Sequence, residues 1–418
     1  MSAGRPGRFP CFDGLRAFAA LSVVGVHTAF SSGFTFRSGW GIYTSRLEIG
    51  VSVFFLISGF LLYRPMAVAH LGGPATLRPG QFLVRRALRI VPAYWVALTV
   101  LGYGLHAVNM GGVRGALLHY GFLQIYSREH VLGGITQAWS LCTEVTFYLF
   151  LPLYALAIAG RRRTGRAQVR AELVGVAVLL AVSVGFRAWL FLAHPPMTDQ
   201  MAIWLPSYLD LFAAGMALAV LSAWHHTGGT EPAVLGHPAV PWVSWAAAGM
   251  VYWGVSHAHL PVTPLYRATY AQSLERQELY GLFALLLLIP AVFGPQDRGL
   301  VRRALAWRPV ALIGVVSYGI YLWHQGVVTE LFSWTGRKMF HIPAPTLLWA
   351  TVGLSTAVAA VSYAGVERWF LRLKPGRRPA AAPPPASLPA EDESDGAGVL
   401  VVEPLAAPAL AVAAGDAP

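Results

Sequence analysis

At 418 residues the chain has room for one large domain or two ordinary ones. It is 56% hydrophobic and only 12% charged, against about a quarter charged in soluble domains, which excludes an ordinary soluble fold and makes the bilayer its solvent. The net charge is +12, with 29 of the 31 basic residues being Arg. They fall mainly in short connections between apolar spans, a pattern of membrane orientation and not of a nucleic-acid partner.

Ten apolar segments have helical length: 12–30, 47–66, 91–110, 138–159, 171–193, 202–223, 240–257, 277–293, 309–333 and 346–370. The expected fold is all-α, a polytopic membrane bundle of about ten transmembrane helices. The segment before the first span, MSAGRPGRFPC, lacks a small-residue cleavage site, so that span is read as retained. An even number of spans puts both termini on one side. With that side cytoplasmic, the inner segments hold 20 Lys and Arg and the outer loops 8, which is the expected bias. Composition changes near Lys374, so the chain divides into a membrane domain, 1–374, and a Pro/Ala-rich tail, 375–418, expected to be disordered.

The first span, FDGLRAFAALSVVGVHTAF, carries Arg16 and His27. Eleven residues turn a helix three times plus ~20°, so both project from one face with His27 ~16 Å above Arg16. A central Arg costs roughly 2.5–3.5 kcal/mol in lipid, so that face should look into the bundle. The fourth span, opening QAWSLCTEVTFYLFLPLY, places Ser140, Glu144 and Tyr148 on one face; the sixth offers Asp210, and the ninth Ser317, Tyr321 and His324. Counted along their helices, His27 and His324 lie ~22 Å from the inner edge, and Glu144 and Asp210 ~9 and ~12 Å below the outer edge. Four ionisable groups near one level predict a single polar chamber.

A neutral imidazole beside a carboxylate suits general-base work on a hydroxyl. Glu144 is the first choice of partner for His27 and Asp210 the second, the plainer reading of Asp210 being a helix–helix hydrogen bond and that of His324 a packing role. Arg85, Arg86 and Arg89, just before a span beginning near Pro92, match phosphate through planar donor forks, or else simply anchor the inner side. Tyr94 follows as a further candidate for substrate binding, the plainer reading of Tyr94 and Trp95 being interfacial aromatics. Cys11 and Cys142 sit in separate segments, and His225, His226 and His237 lack accompanying ligands, so neither a disulfide framework nor a metal site is expected.

The strings FDGLRAFAALSVVGVH, FFLISGF, RRALRIVPAYW, WSLCTEVTFYLFLP, LDLFAAG and SYGIYLWH, in this order over about residues 9–372, resemble the acyltransferase-3 family of bacterial integral-membrane O-acyltransferases. The resemblance is to the stand-alone type, without the extracytoplasmic esterase-like domain of some members. It implies a multi-pass protein of the bacterial plasma membrane with no permanently bound cofactor. The donor would be a cytoplasmic acyl-CoA such as acetyl-CoA, and the acceptor a hydroxyl of a glycan, lipid or macrolide reached from the other side. Arg16 and His27 then correspond to the family's characteristic pair, and Trp139, Ser140 and Glu144 to its Trp-Ser-Leu block. The expected mechanism puts the nucleotide on Arg85, Arg86 and Arg89 and the pantetheine arm past Arg16. His27 acts as base, Glu144 holds its ring, and Tyr148 or Tyr318 stabilises the oxyanion. The rival readings are a transporter or flippase using the same chamber without chemistry, and a membrane assembly partner in which the polar residues are glue.

Overall fold

The computed structural model describes residues 9–74, 78–159, 164–230, 233–261, 269–295 and 298–375. The expected disordered tail, Arg161–Arg163 and Arg267 lie outside them, apart from Pro375. Ten long helices carry the architecture: α1 (Cys11–Ser31), α2 (Ile49–His70), α3 (Pro79–Thr99), α4 (Trp139–Ile158), α5 (Gly165–Ala193), α6 (Leu209–His226), α7 (Val240–His257), α8 (Tyr270–Val292), α9 (Arg308–Thr335) and α10 (Ala344–Ser362). The end of the bundle at which α1 begins is called lower below.

Each of the ten expected segments overlaps one of these helices, but eight and not ten are long and apolar enough to cross a membrane. The exceptions are α7, whose 18 residues include Trp242, Trp245, Tyr252, Trp253 and His257 and are not apolar enough, and α8, whose early turns carry Glu275, Arg276 and Glu278. Proline sets several starts, standing in the first turn of α3, α7, α9 and α10, where its missing N–H has no partner to lose. The capping box of Thr269 and Gln272 starts α8. Because Pro79 starts α3, that helix begins about twelve residues before the segment expected from hydropathy, and Arg85, Arg86 and Arg89 are helical residues rather than a connection.

α1 lies against α9, α2 and α10, while α2 also packs on α6, α8 and α4. The α2–α6 seam is close because glycines face backbone on both sides. A Cβ at Gly59 would strike the Phe212 carbonyl, and one at Gly215 the Leu56 carbonyl. Small residues that admit backbone to backbone supply the dispersion contacts that hold helices together in lipid. Buried polar ties add direction. Arg187 of α5 donates to Asp210 of α6 at 2.7 Å and to Glu278 of α8 at 2.6 Å. Glu172 of α5 accepts from Tyr63, from His70 at 2.6 Å and from Gln168 at 2.9 Å, tying α5 to α2.

The connection from α3 to α4 decides where the site lies. It runs through a short helix, Gly112–Tyr120, and turns inward before α4 starts. Gln137, buried one turn before α4, donates its amide to the carbonyls of Tyr321 and Leu322, both at 3.1 Å. Tyr321 is the fourteenth of the 28 residues of α9, so α4 starts at the midpoint of a spanning helix rather than at the bundle's rim.

Candidate active site

Two cavities lie one above the other along the inward face of α1. The lower one, about 310 Å³, is lined by Arg16 of α1, Ser58 of α2, Arg86 and Arg89 of α3, Ser140, Glu144 and Tyr148 of α4, Tyr318 and Tyr321 of α9, and Lys374. Four cations thus face one carboxylate. Arg16 keeps only a loose ion pair with Asp13, 3.8 Å away, and the buried Nε of Arg86 has no partner among the described residues. Burial, with Arg89, Arg86 and Arg85 near, pushes the Lys374 amine down to about 8. The residual charge of this pocket is positive and its donors are unspent, which is the chemistry that receives phosphate or thiolate.

The upper cavity, about 400 Å³, is lined by His27, Arg46, Glu48, Gln137, Trp139, Arg276, Tyr321 and Gln325 among others. Arg46 is buried and donates to the carbonyls of Pro261 and Leu260 at 2.9 and 2.7 Å. Glu48 accepts from Tyr280 at 3.1 Å and faces Arg276 at 3.4 Å.

His27 Nδ1 lies 2.9 Å from Nε2 of His324, whose ring is fully buried. His324 Nδ1 is 2.9 Å from the Tyr321 carbonyl and 3.2 Å from that of Ile320. A carbonyl only accepts, so His324 Nδ1 carries hydrogen, and in the neutral ring its Nε2 must accept. His27 therefore donates through Nδ1, and its Nε2 keeps the lone pair. Two buried carbonyls thus set the tautomer of a ring one imidazole away.

Several expected placements are corrected by this geometry. His27 and Glu144 do not pair: Glu144 lines the other cavity and accepts from Ser58 at 2.5 Å and Tyr148 at 2.7 Å. Nor is there one chamber at one depth. The count along α4 assumed a start at the outer edge, whereas the helix starts mid-bundle, which carries Glu144 below the level of His27. Asp210 lines neither cavity; it is held by Arg187 and by Gln277 at 3.3 Å, the plainer alternative. Tyr94 is buried against Phe122 and donates to the His119 carbonyl at 3.1 Å, a packing position rather than a substrate contact. His324 stands behind His27 and lines neither cavity. Arg85 turns away from the pocket and donates twice to the Pro375 carbonyl, at 3.0 and 2.5 Å, holding the segment that brings Lys374 to the cavity. The hydroxyls expected at an oxyanion are committed, Tyr148 to Glu144 and Tyr318 to the Ile90 carbonyl at 2.8 Å.

Of the candidate residues, the lower cavity brings together Arg16, Arg86, Arg89, Ser140, Glu144, Tyr148 and Tyr318, and the upper one His27 with Trp139. Sequence reasoning passed over Ser58, Glu48, Gln137, Arg276 and Lys374. Glu48 and Arg276 sit near span ends, where a charge reads as solvated, and Lys374 carries no signal beyond positive-inside charge.

Residues 9–364 match the acyltransferase-3 family, an acyltransferase domain. The chain is 24% identical over 337 residues to the peptidoglycan O-acetyltransferase OatA of Listeria monocytogenes, covering 77% of this chain and 49% of that protein. It is 25% identical to the exopolysaccharide production protein ExoZ of Rhizobium meliloti, covering 79% and 91%. It is 26% identical over 415 residues to the acyltransferase MdmB of Streptomyces mycarofaciens, covering 93% and 97%. The chain thus spans about half the length of the peptidoglycan relative and nearly all of the other two. No solved structure matches it.

Proposed function

Because this chain belongs to the acyltransferase-3 family, we propose that it is a membrane O-acyltransferase that moves a short acyl group from acyl-CoA to an acceptor hydroxyl. The lower end is the cytoplasmic side, as the 20 to 8 bias of Lys and Arg favours. The donor's phosphates lie against Arg86, Arg89 and Lys374, and its pantetheine arm follows Arg16 upward. The acceptor hydroxyl enters the upper cavity and meets His27 Nε2.

The chemistry balances on that one nitrogen. Nε2 takes the hydroxyl proton as the oxygen attacks the thioester carbonyl, the C–O bond forming. The tetrahedral intermediate collapses with loss of the C–S bond, and the CoA thiolate takes the proton from the imidazolium. Arg16 and its neighbouring cations favour the departing negative charge. Glu144 organises Ser58 and Tyr148 at the donor pocket and is a positioning residue there. The observation that carries the reading is the 2.9 Å contact between His27 and His324, which leaves a fixed base facing a cavity.

The acceptor is proposed as a hydroxyl of a glycan, glycolipid or macrolide-like molecule. Two relatives named for peptidoglycan and exopolysaccharide favour the glycan. The test compares ester-bearing envelope material and secreted metabolites, by mass spectrometry, from cells with this protein, without it, and with His27→Ala at equal membrane abundance. An ester mass lost in the second and third is the expected result, with turnover down ~10²–10⁴-fold for the variant. Undiminished ester in the His27→Ala cells would exclude this base, and a product that accumulates untransformed on one side of the membrane would favour transport instead.

A further inference from the structure

Tyr321 is the one residue, among those described, that lines both cavities. Its ring is 5% exposed and stands edge-on to Phe54, with centroids 5.9 Å apart. Its hydroxyl donates to the Gln137 carbonyl at 2.8 Å and meets Ser140 Oγ at 2.7 Å. These bonds fasten the ring to the sunken start of α4, so two helices from opposite sides hold one aromatic plate between the cationic pocket and the base. We infer that Tyr321 is the gauge of acyl length: it forms the roof of the donor pocket, and only a small acyl group passes its edge to the hydroxyl held by His27.

The inference rests on the acyl-transfer reading and deepens it. For attack, the carbonyl carbon must come within ~3–3.5 Å of the acceptor oxygen. That oxygen is bound to the upper cavity, and the thioester rises from the lower one, so the two meet at the level of Tyr321. The acyl tail beyond the carbonyl has to find room where the ring already is. An acetyl group asks for a slight displacement of the ring. Each added methylene asks for more and pulls the hydroxyl from both of its partners. Enzyme pockets distinguish single methylenes by ~10–200-fold.

The experiment uses membranes of the source cell lacking its own copy, complemented with wild type, Tyr321→Ala, Tyr321→Leu, Tyr321→Phe or His27→Ala. Each is given acetyl-, butyryl- or hexanoyl-CoA labelled in the acyl group, and ester-linked label in the endogenous acceptor is counted. Wild type should prefer acetyl. Tyr321→Ala should raise the butyryl-to-acetyl ratio by about tenfold or more, and Tyr321→Leu, an independent truncation should alanine fail to accumulate, should raise it in the same sense. Tyr321→Phe, which keeps the plate and loses its fastening, should shift the ratio by less. A merely structural tyrosine would lower all three donors together and leave the ratio unmoved, and that result would overturn the gauge while the His27-dependent label still upheld acyl transfer. No His27-dependent label from any donor in the wild type would overturn the acyl-transfer reading, and the gauge with it.

Discussion

His27 draws its chemistry from a residue 297 positions away in the chain. The carbonyls of Ile320 and Tyr321 fix the proton on His324, and His324 fixes the proton on His27, so a backbone feature of α9 decides which nitrogen of an α1 side chain is basic. His324→Phe removes the acceptor while filling the space. Turnover should then fall by ~10-fold or more with the KM for acetyl-CoA nearly unchanged, since donor contacts are untouched. Steady-state kinetics with each substrate varied check this, and a rise in donor KM without loss of turnover would contradict the positioning role. Sequence reasoning placed His324 in the polar chamber as a substrate contact, with packing as the plainer alternative, and missed its bond to His27, because a histidine's partner on another helix leaves no trace in spacing. The same reasoning put Glu144 beside His27 because a carboxylate can orient an imidazole and the Glu144 face of its helix also carries Ser140 and Tyr148.

At the scale of elements, the periodicity of α1 was legible: Arg16 and His27 share its inward face and line successive cavities. The start of α4 was not. Hydropathy marks where an apolar run begins, not whether the preceding loop dives into the bundle, and the hydrogen bonds of Gln137 that set this depth are to residues remote in sequence. α3 was misplaced for a related reason, since three Arg lower its hydropathy while the cavity and the Pro375 carbonyl make them tolerable inside a helix. Arg187 shows what such a tolerated charge does elsewhere, joining α5, α6 and α8 through Asp210 and Glu278. Arg187→Leu strands the buried Asp210 carboxylate and should cost on the order of 3 kcal/mol of stability, whereas Arg187→Leu with Asp210→Leu should recover most of it. Thermal unfolding in detergent reads both, and equal loss in the single and double variants would show that the pair's charge is not what matters.

Over the whole molecule, positive charge collects at the lower cavity and reaches its mouth through Lys374. The ordinary amine value of 10.5 is brought down to about 8 here. The folded protein therefore loses this proton as pH rises through about 8, before the unfolded chain does. The stability penalty of the crowded cation is complete below that pH and is relieved as pH rises towards 10.5. A bound polyphosphate reverses the balance, because it favours the charged amine. CoA alone should bind with uptake of a fraction of a proton at pH 8 and with falling affinity above it, and Lys374→Met should abolish the uptake. Calorimetry in two buffers of different ionisation enthalpy measures it; a buffer-independent heat for the wild type would separate Lys374 from the ligand.

The paired glycines of α2 and α6 bear on how the molecule moves. With Gly59 against the Phe212 carbonyl and Gly215 against that of Leu56, a slide of either helix by one residue drives a side chain into backbone, so shear along that seam is blocked. α2 supplies Phe54 and Ser58 to one cavity and Val51 to the other, which makes it the stationary wall of both. Whatever breathing admits substrate then falls to the other helices that line the cavities, α1, α3, α4 and α9.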